Sequence, residues 1–355
     1  MNPNEIISLL EVSGVQQQAL WKQSLDIKTT TVGCGIRLRG LIELSNRCNK
    51  NCFYCGIRST NKHTERYELT EEEVMIAAQH AASLNLGSIA LQSGEQTAPS
   101  FIDKVTKLIH RIKTEITPSM GITLSCGEQT ADTYKRWYDA GAHRYLLRIE
   151  TSNPRLYAHL HPKDHLFSKR LQALYDLKNE GYMTGSGVMI GLPGQRMTDL
   201  AADLLFLKDA DVDMIGMGPF IPDEETPLGN RNDPFWTPEK RIQTTLNMTA
   251  IARIMMPDIN IVATTAMQTL CENGREKAVE AGANVIMPNI TPKRGRDNYQ
   301  IYPNKPKQQE GTAQELQALQ LSLQKIGHHI IYGDLGDSPH YIRRKKKQSP
   351  IIASP

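Results

Sequence analysis

Short apolar runs alternate with longer amphipathic stretches along most of this chain, and the alternation repeats eight times. The runs cover residues 41–46, 88–94, 121–127, 144–150, 185–192, 214–220, 261–266 and 284–290. Most are continuously apolar, as a parallel strand covered on both faces requires. The stretches between them read as helices. Thr70 precedes Glu71, Glu72 and Glu73, a capping residue ahead of an acidic first turn, and an apolar stripe follows at Val74, Ile76, Ala77 and Ala81. Residues 99–113, 130–140, 169–180, 197–208, 237–254 and 274–281 repeat the theme.

Eight strand–helix units in roughly 250 residues match the count and length of an α/β fold of the (β/α)8 TIM-barrel type. A doubly wound open sheet competes, because closure leaves no mark on a sequence. Two pieces fall outside the eight units. A helical segment, residues 4–28, is expected to pack across the barrel. A C-terminal part carries a helix near 312–326 and an apolar run at 329–332. The expected organisation is an N-terminal segment 1–34, a barrel 35–305 and a C-terminal extension 306–355 with a basic tail.

Composition narrows the function classes. The chain has 355 residues and a formal net charge of +3, which argues neither for a nucleic-acid partner nor for a membrane surface. The run Arg343, Arg344, Lys345, Lys346, Lys347 reads as a solvated tail rather than a nucleic-acid arm. No stretch of about 18 apolar residues occurs, so no transmembrane helix is expected. The first residues lack the basic-then-apolar pattern of a signal peptide. Six cysteines in a chain of this length make no disulfide scaffold. Three of them lie within eight residues and read as metal ligands in a reducing compartment, with the cytoplasm as the expected location.

Those three, Cys48, Cys52 and Cys55, form a CxxxCxxC motif directly after the first predicted strand, with Tyr54 before the last cysteine. The C-terminal rim of a barrel is where such folds place chemistry. Thiolates suit iron–sulfur clusters or zinc. A 4Fe-4S cubane has four irons, so three cysteines leave one iron open to a small chelating molecule. A closed zinc site would need a fourth ligand such as His63. The motif and its place resemble the radical S-adenosylmethionine (SAM) superfamily. That resemblance implies that the open iron holds the amino and carboxylate groups of SAM. It also implies that one electron from the cluster yields a 5′-deoxyadenosyl radical, which the protein aims.

Other strand ends supply partners for such a cofactor. Ser93, Gly94 and Glu95 end the second strand, and this superfamily uses a similar turn to bind the methionine amino group. Arg144, Arg148 and Glu150 share a parity on the fourth strand, so they project to one face. Charges there need a partner or a ligand. Arg148 fits the SAM carboxylate, Glu150 the ribose hydroxyls, and Arg170 is a second carboxylate candidate. The structural alternative is an Arg–Glu pair closing the barrel bottom. Glycine-rich strand ends at 185–195 and 216–222 suggest a backbone wall beside adenine. Thr264, Thr265, Met287, Tyr299 and Tyr302 are candidates to line a pocket over the radical. Cys126 reads as a small buried apolar residue.

Longer strings narrow the likeness. Residues 39–46, 52–58, 91–95, 144–148, 191–195, 218–222, 263–267 and 284–289 together resemble the HydE family of FeFe-hydrogenase maturases, over a span from about Gly35 to about Tyr302. The resemblance implies a role in assembling the organometallic diiron subcluster of the hydrogenase H-cluster. It implies work after the tyrosine-cleaving maturase HydG, on a small organometallic or thioether substrate, with handover to the scaffold GTPase HydF. A ferredoxin or flavodoxin would donate the electron. By matching motif, Cys48, Cys52 and Cys55 hold the cluster. Tyr54, Ser93, Glu95, Arg148, Glu150 and Arg170 fall at SAM positions. Thr264, Thr265, Met287, Tyr299 and Tyr302 fall at substrate positions. Some members carry further cysteines for an auxiliary cluster; here no cysteine follows Cys271.

Two other functions compete. A methylornithine-synthase-like mutase would use the same cofactors on an amino acid. A non-catalytic iron–sulfur carrier would need the cysteines but not Arg148, Glu150 or the glycine turns. Biotin synthase fits less well, because it needs further cysteines inside the barrel.

Overall fold

The apolar runs form parallel strands wherever they pair in the main sheet. The computed structural model describes residues 1–231, 233–307 and 310–348. Its first strand, β1, runs through Gly35–Leu38 and continues as Gly40–Ser45. There follow β2 (Ser88–Ser93), β3 (Gly121–Ser125), β4 (Arg144–Leu146), β5 (Met183–Ser186), β6 (Met214–Ile215), β7 (Asn260–Ala263), β8 (Val285–Ile286) and β9 (His329–Ile331).

The sheet closes. Each of β1 to β8 pairs with the next, and β8 returns to β1 with Arg37 opposite Val285. Leu41 is paired on both sides, to Ala90 and to Asn289. Its amide donates to Pro288 O at 2.8 Å and its carbonyl accepts from Ile290 N at 3.0 Å. This excludes the open sheet. The fifth and sixth runs are broken: above β5 and β6, Met189–Ile190 pairs separately with Gly218–Pro219 at the rim.

Helices cover the barrel as their stripes require. Thr70 caps Glu71–Ser83 reciprocally with Glu73, and Val74, Met75, Ala77, Ala78 and Ala81 are buried. Ile76, read as part of that stripe, is exposed. Helices Pro3–Glu11 and Gly14–Thr31 pack on Met197–Asp209 and Pro238–Met255. Asn247 is buried there and donates to Leu10 O and Val12 O. No helix among the described residues is long and apolar enough to cross a membrane.

The basic run is not a solvated tail. It lies in a helix, Pro339–Gln348, docked under the barrel. Arg344 donates to Asp213 Oδ2 at 2.5 Å and to Tyr182 O at 2.8 Å, Arg343 pairs with Asp258, and Lys345 donates to Tyr138 Oη at 2.7 Å. The acids and carbonyls that hold it come from distant segments, so a local charge run could not reveal them. Residues 349–355 of the expected tail lie outside the described residues. Just before the helix, a loop plugs the barrel floor. Arg144, fully buried, donates to Leu335 O at 2.5 Å and to Asp337 Oδ1 at 2.8 Å. Arg39 donates to Gly336 O at 3.1 Å.

Candidate active site

The motif loop leaves β1 at its C-terminal end and is held open by side chains rather than by regular structure. Arg66 does most of this. Its guanidinium donates to Asn46 O, Ile57 O, Arg58 O and Asn61 O at 2.6–3.1 Å. One planar cation thus satisfies four carbonyls that an irregular loop would otherwise leave unpaired. Asn49 N donates to Glu95 O at 2.7 Å, which sets the turn after β2 against the loop. Gly94 is needed there: a Cβ would lie 2.3 Å from Arg47 O and 2.8 Å from Cys48 Cβ.

Cys48, Cys52 and Cys55 line one cavity of about 250 Å³ at the barrel mouth. All three thiols are free, Cys52 buried and the other two partly exposed. Burial pushes the Cys52 thiol up to about 12 and raises Cys48 and Cys55 as well. Among the described residues no three His, Cys, Asp or Glu side chains converge on a single ion position. Cluster thiolates each grip a different iron, so they need not converge. His63, the imagined fourth zinc ligand, lines a separate outer cavity of about 680 Å³ with Asp223 and Asp297. Tyr302 borders both cavities.

Tyr54, Ser93, Glu95, Arg148, Glu150 and Arg170 all line the inner cavity. Arg144 does not. Arg144 begins β4, whereas Arg148 lies two residues beyond its end, toward the cysteine loop. Arg144 therefore serves the floor and Arg148 the mouth. Arg148 Nη2 and Glu150 Oε2 lie 3.0 Å apart. Neither atom has an aligned hydrogen bond, nor has Arg148 Nε, although all are buried. Glu150 also sits at φ 67°, a strained region for a residue with a Cβ. Buried polar atoms left unmatched in a cavity suit a polar ligand. Arg170 is already engaged: its Nε donates to Glu128 Oε1 at 2.6 Å.

Two residues that sequence reasoning missed tie this wall together. Glu128 Oε2 accepts from Lys50 Nζ at 2.9 Å, and the same ammonium lies 3.3 Å from Glu95 Oε1. Glu128 N donates to Glu95 Oε2 at 2.7 Å. Lys50 sits between the first two motif cysteines, so the cluster loop is linked by charge to Arg170. Gly127 permits the turn: at φ 75°, its Cβ would meet Glu95 at 2.4 Å. Tyr54 stands edge-on to His161 with ring centroids 5.5 Å apart. Burial pulls His161 down to about 3, so the imidazole is neutral, and its Nδ1 donates to Tyr157 O at 2.9 Å.

Of the residues expected to line a substrate pocket, Thr264, Tyr299 and Tyr302 border the cavity. Thr264 Oγ1 is buried without a partner. Tyr299 Oη accepts from Gln92 Nε2 at 3.2 Å, beside a buried pair in which Lys305 Nζ is 2.7 Å from Glu43 Oε1. Thr265 begins a short helix, Thr265–Leu270, and is not among the lining residues. Met287 packs instead with Met183, Met214, Val262, Val285 and Tyr341. A short helix, Lys293–Asn298, leads into Tyr299. Cys126 is fully buried, as expected of a small apolar residue.

Comparison with known proteins bears on this geometry. Residues 42–207 match the Radical SAM superfamily model. The chain is 47% identical over 290 residues to the [FeFe] hydrogenase maturase subunit HydE of Thermotoga maritima, covering 81% of this chain and 80% of that protein. It is 24% identical over 306 residues to the 3-methylornithine synthase of Methanosarcina acetivorans, covering 84% and 83%. Among solved structures, methylornithine synthase (PylB) superposes with a TM-score of 0.78 at 22% identity over 94% of each chain. The maturase HydG of Carboxydothermus hydrogenoformans does so with 0.76 at 21% identity, covering 94% of this chain and 76% of that one. At those identities the likeness establishes the fold alone.

Proposed function

This chain belongs to the HydE family of radical SAM enzymes, and from that premise we propose that it acts in building the diiron subcluster of FeFe-hydrogenase. Enzymes of this superfamily use a 4Fe-4S cluster with SAM. The bound, reduced group supplies one electron to the sulfonium of SAM and so generates a 5′-deoxyadenosyl radical. The observation that carries the reading is the meeting, in one cavity, of three free thiols with an Arg148–Glu150 ion pair whose facing atoms make no aligned hydrogen bond.

Each residue then has a task. Cys48, Cys52 and Cys55 hold the cluster. Arg148 and Arg170 bind the SAM carboxylate, for which a guanidinium fork is suited. Ser93 and Glu95 orient the methionine amino end. Glu150 accepts from the ribose hydroxyls, and Tyr54 packs beside the cofactor. Thr264, Tyr299 and Tyr302 shape the remaining space and exclude water from a small organometallic or thioether substrate. The electron donor is a ferredoxin or flavodoxin, and the product passes to the HydF scaffold.

Anaerobically reconstituted protein with SAM and a strong reductant is expected to release 5′-deoxyadenosine. In a cell-free maturation mixture lacking its own HydE, it is expected to restore hydrogenase activity. Cleavage of SAM without restoration would favour a mutase. No cleavage, with the cluster intact, would leave a carrier.

A further inference from the structure

One wall of the inner cavity is the segment 298–307, which contributes Tyr299, Ile301 and Tyr302 to its lining. Neighbouring elements hold this segment by its backbone. Asn46 Nδ2 donates to Asn298 O at 2.9 Å, Gly56 N to Ile301 O at 3.0 Å, and Arg296 Nε to Lys307 O at 2.7 Å. Gly56 follows Cys55 directly and lets the segment lie close, since a Cβ there would be 2.3 Å from Gln300 O. A side chain anchors it as well. Lys305, 5% exposed, reaches the fully buried Glu43 of β1, with Nζ 2.7 Å from Oε1. Neither atom has an aligned hydrogen bond, so charge holds the pair. Asn289 Nδ2 donates to the other Glu43 oxygen at 3.2 Å, and Tyr67 Oη to the Glu43 carbonyl at 2.8 Å. Taking two charges out of water is costly, and their attraction does little more than offset that cost. Stability alone is therefore a poor reason for the pair.

We propose that Glu43 and Lys305 are positioning residues for the reaction, an internal ion pair that sets Tyr299 against the substrate. The inference rests on the proposed function and extends it to the substrate's side of the cavity. Lys305 Nζ stands 5.5 Å from the centre of the Tyr299 ring, within the range at which an ammonium attracts an aromatic face. Gln92 Nε2 donates to Tyr299 Oη, which leaves the phenol's own proton without an acceptor among the described residues. Thr264 Oγ1, on the same cavity, is unpartnered too. Two hydroxyls free to donate suit a substrate that presents lone pairs, such as a thiolate, a thioether or a carboxylate. Held by the ion pair, the phenol meets that acceptor without first having to be ordered. A displacement of about 1 Å in such a group costs on the order of a hundredfold in rate.

The test uses reconstituted holoenzyme labelled with 3-fluorotyrosine, with the cluster in its diamagnetic 2+ level; Tyr299→Phe assigns the Tyr299 fluorine resonance. Glu43→Gln and Lys305→Met each strand the remaining charge and are expected to lose stability. The double variant removes both charges and is expected to regain it. In that double variant the Tyr299 resonance is expected to move or broaden, and restoration of hydrogenase activity in the cell-free mixture to fall on the order of a hundredfold. SAM affinity and the cluster's absorbance are expected to stay at native values. A native Tyr299 resonance in the double variant would overturn the proposal, because the pair would then merely brace the fold. So would full restoration of hydrogenase activity despite a displaced ring, or a matching loss of SAM affinity, which would assign the pair to the cofactor. A displaced Tyr299 in the double variant, beside native protein that restores no hydrogenase, would sink the functional reading and leave the ion pair's hold on Tyr299 standing.

Discussion

At the residue scale, Glu128 fixes the position of Arg170 and Lys50 in the cavity wall. It is the counter-charge of both Arg170 and Lys50, at 2.6 and 2.9 Å. Glu128→Gln keeps the shape and removes the charge, so both cations lose a charge-assisted bond worth about 1.5–3 kcal/mol. SAM affinity is expected to fall at least about tenfold, with the cluster's absorbance retained. Arg148→Ala is expected to lower SAM affinity similarly, again without loss of the cluster. Equilibrium binding under anaerobic conditions reads both, and an unchanged Kd for either variant removes that residue from the site.

At the element scale, the helix Met197–Asp209 supports the loop after β4 through Asp203. The Asp203 carboxylate accepts from Ser152 N at 2.5 Å and Ser152 Oγ at 2.7 Å, while its other oxygen is unpartnered. Burial raises this carboxyl from 3.8 to about 7. Between those values the folded chain binds a proton that the unfolded chain releases. Stability contributed by this site is therefore full below about pH 4, declines as pH rises, and is lost above about 7. Asp203→Asn retains an acceptor for Ser152. It is expected to flatten this part of the pH profile and to raise stability at pH 8, as measured by denaturant unfolding at several pH values. A native-like slope in the variant would show that another group titrates.

The same scale shows what was legible. Eight strands and the loop that carries the cysteines follow from local pattern, because period and turn chemistry are written into neighbouring residues. The shared parity of Arg144, Arg148 and Glu150 was readable too. Their separation into floor and mouth was not, since nothing in the run marks which end of the barrel is plugged. Arg66, Lys50 and Glu128 were invisible for a related reason: each acts through partners that only the closed barrel brings near. The basic run misled because its acids, Asp213 and Asp258, lie far away in sequence.

At the scale of the whole molecule, the floor holds two fully buried arginines, Arg39 and Arg144. Asp337 is the carboxylate that faces Arg144 and also accepts from His143 at 2.9 Å. Removing one partner of a buried pair strands the other charge, at a cost of about 3–5 kcal/mol. Asp337→Ala is expected to lose stability on that scale in chemical denaturation, although it lies at the end of the barrel opposite the cysteines. A loss below about 1 kcal/mol would mean that the Leu335 carbonyl alone suffices.

Closure has a consequence for biosynthesis. The cysteine loop follows the first strand, yet that strand is sealed only when Leu41 meets Asn289. A chain growing from the ribosome therefore displays its three sulfur atoms long before the staves that enclose them have been made. During that interval they are open to dioxygen and to stray zinc. Only once that last stave is in place does the chain itself wall off the three sulfur atoms.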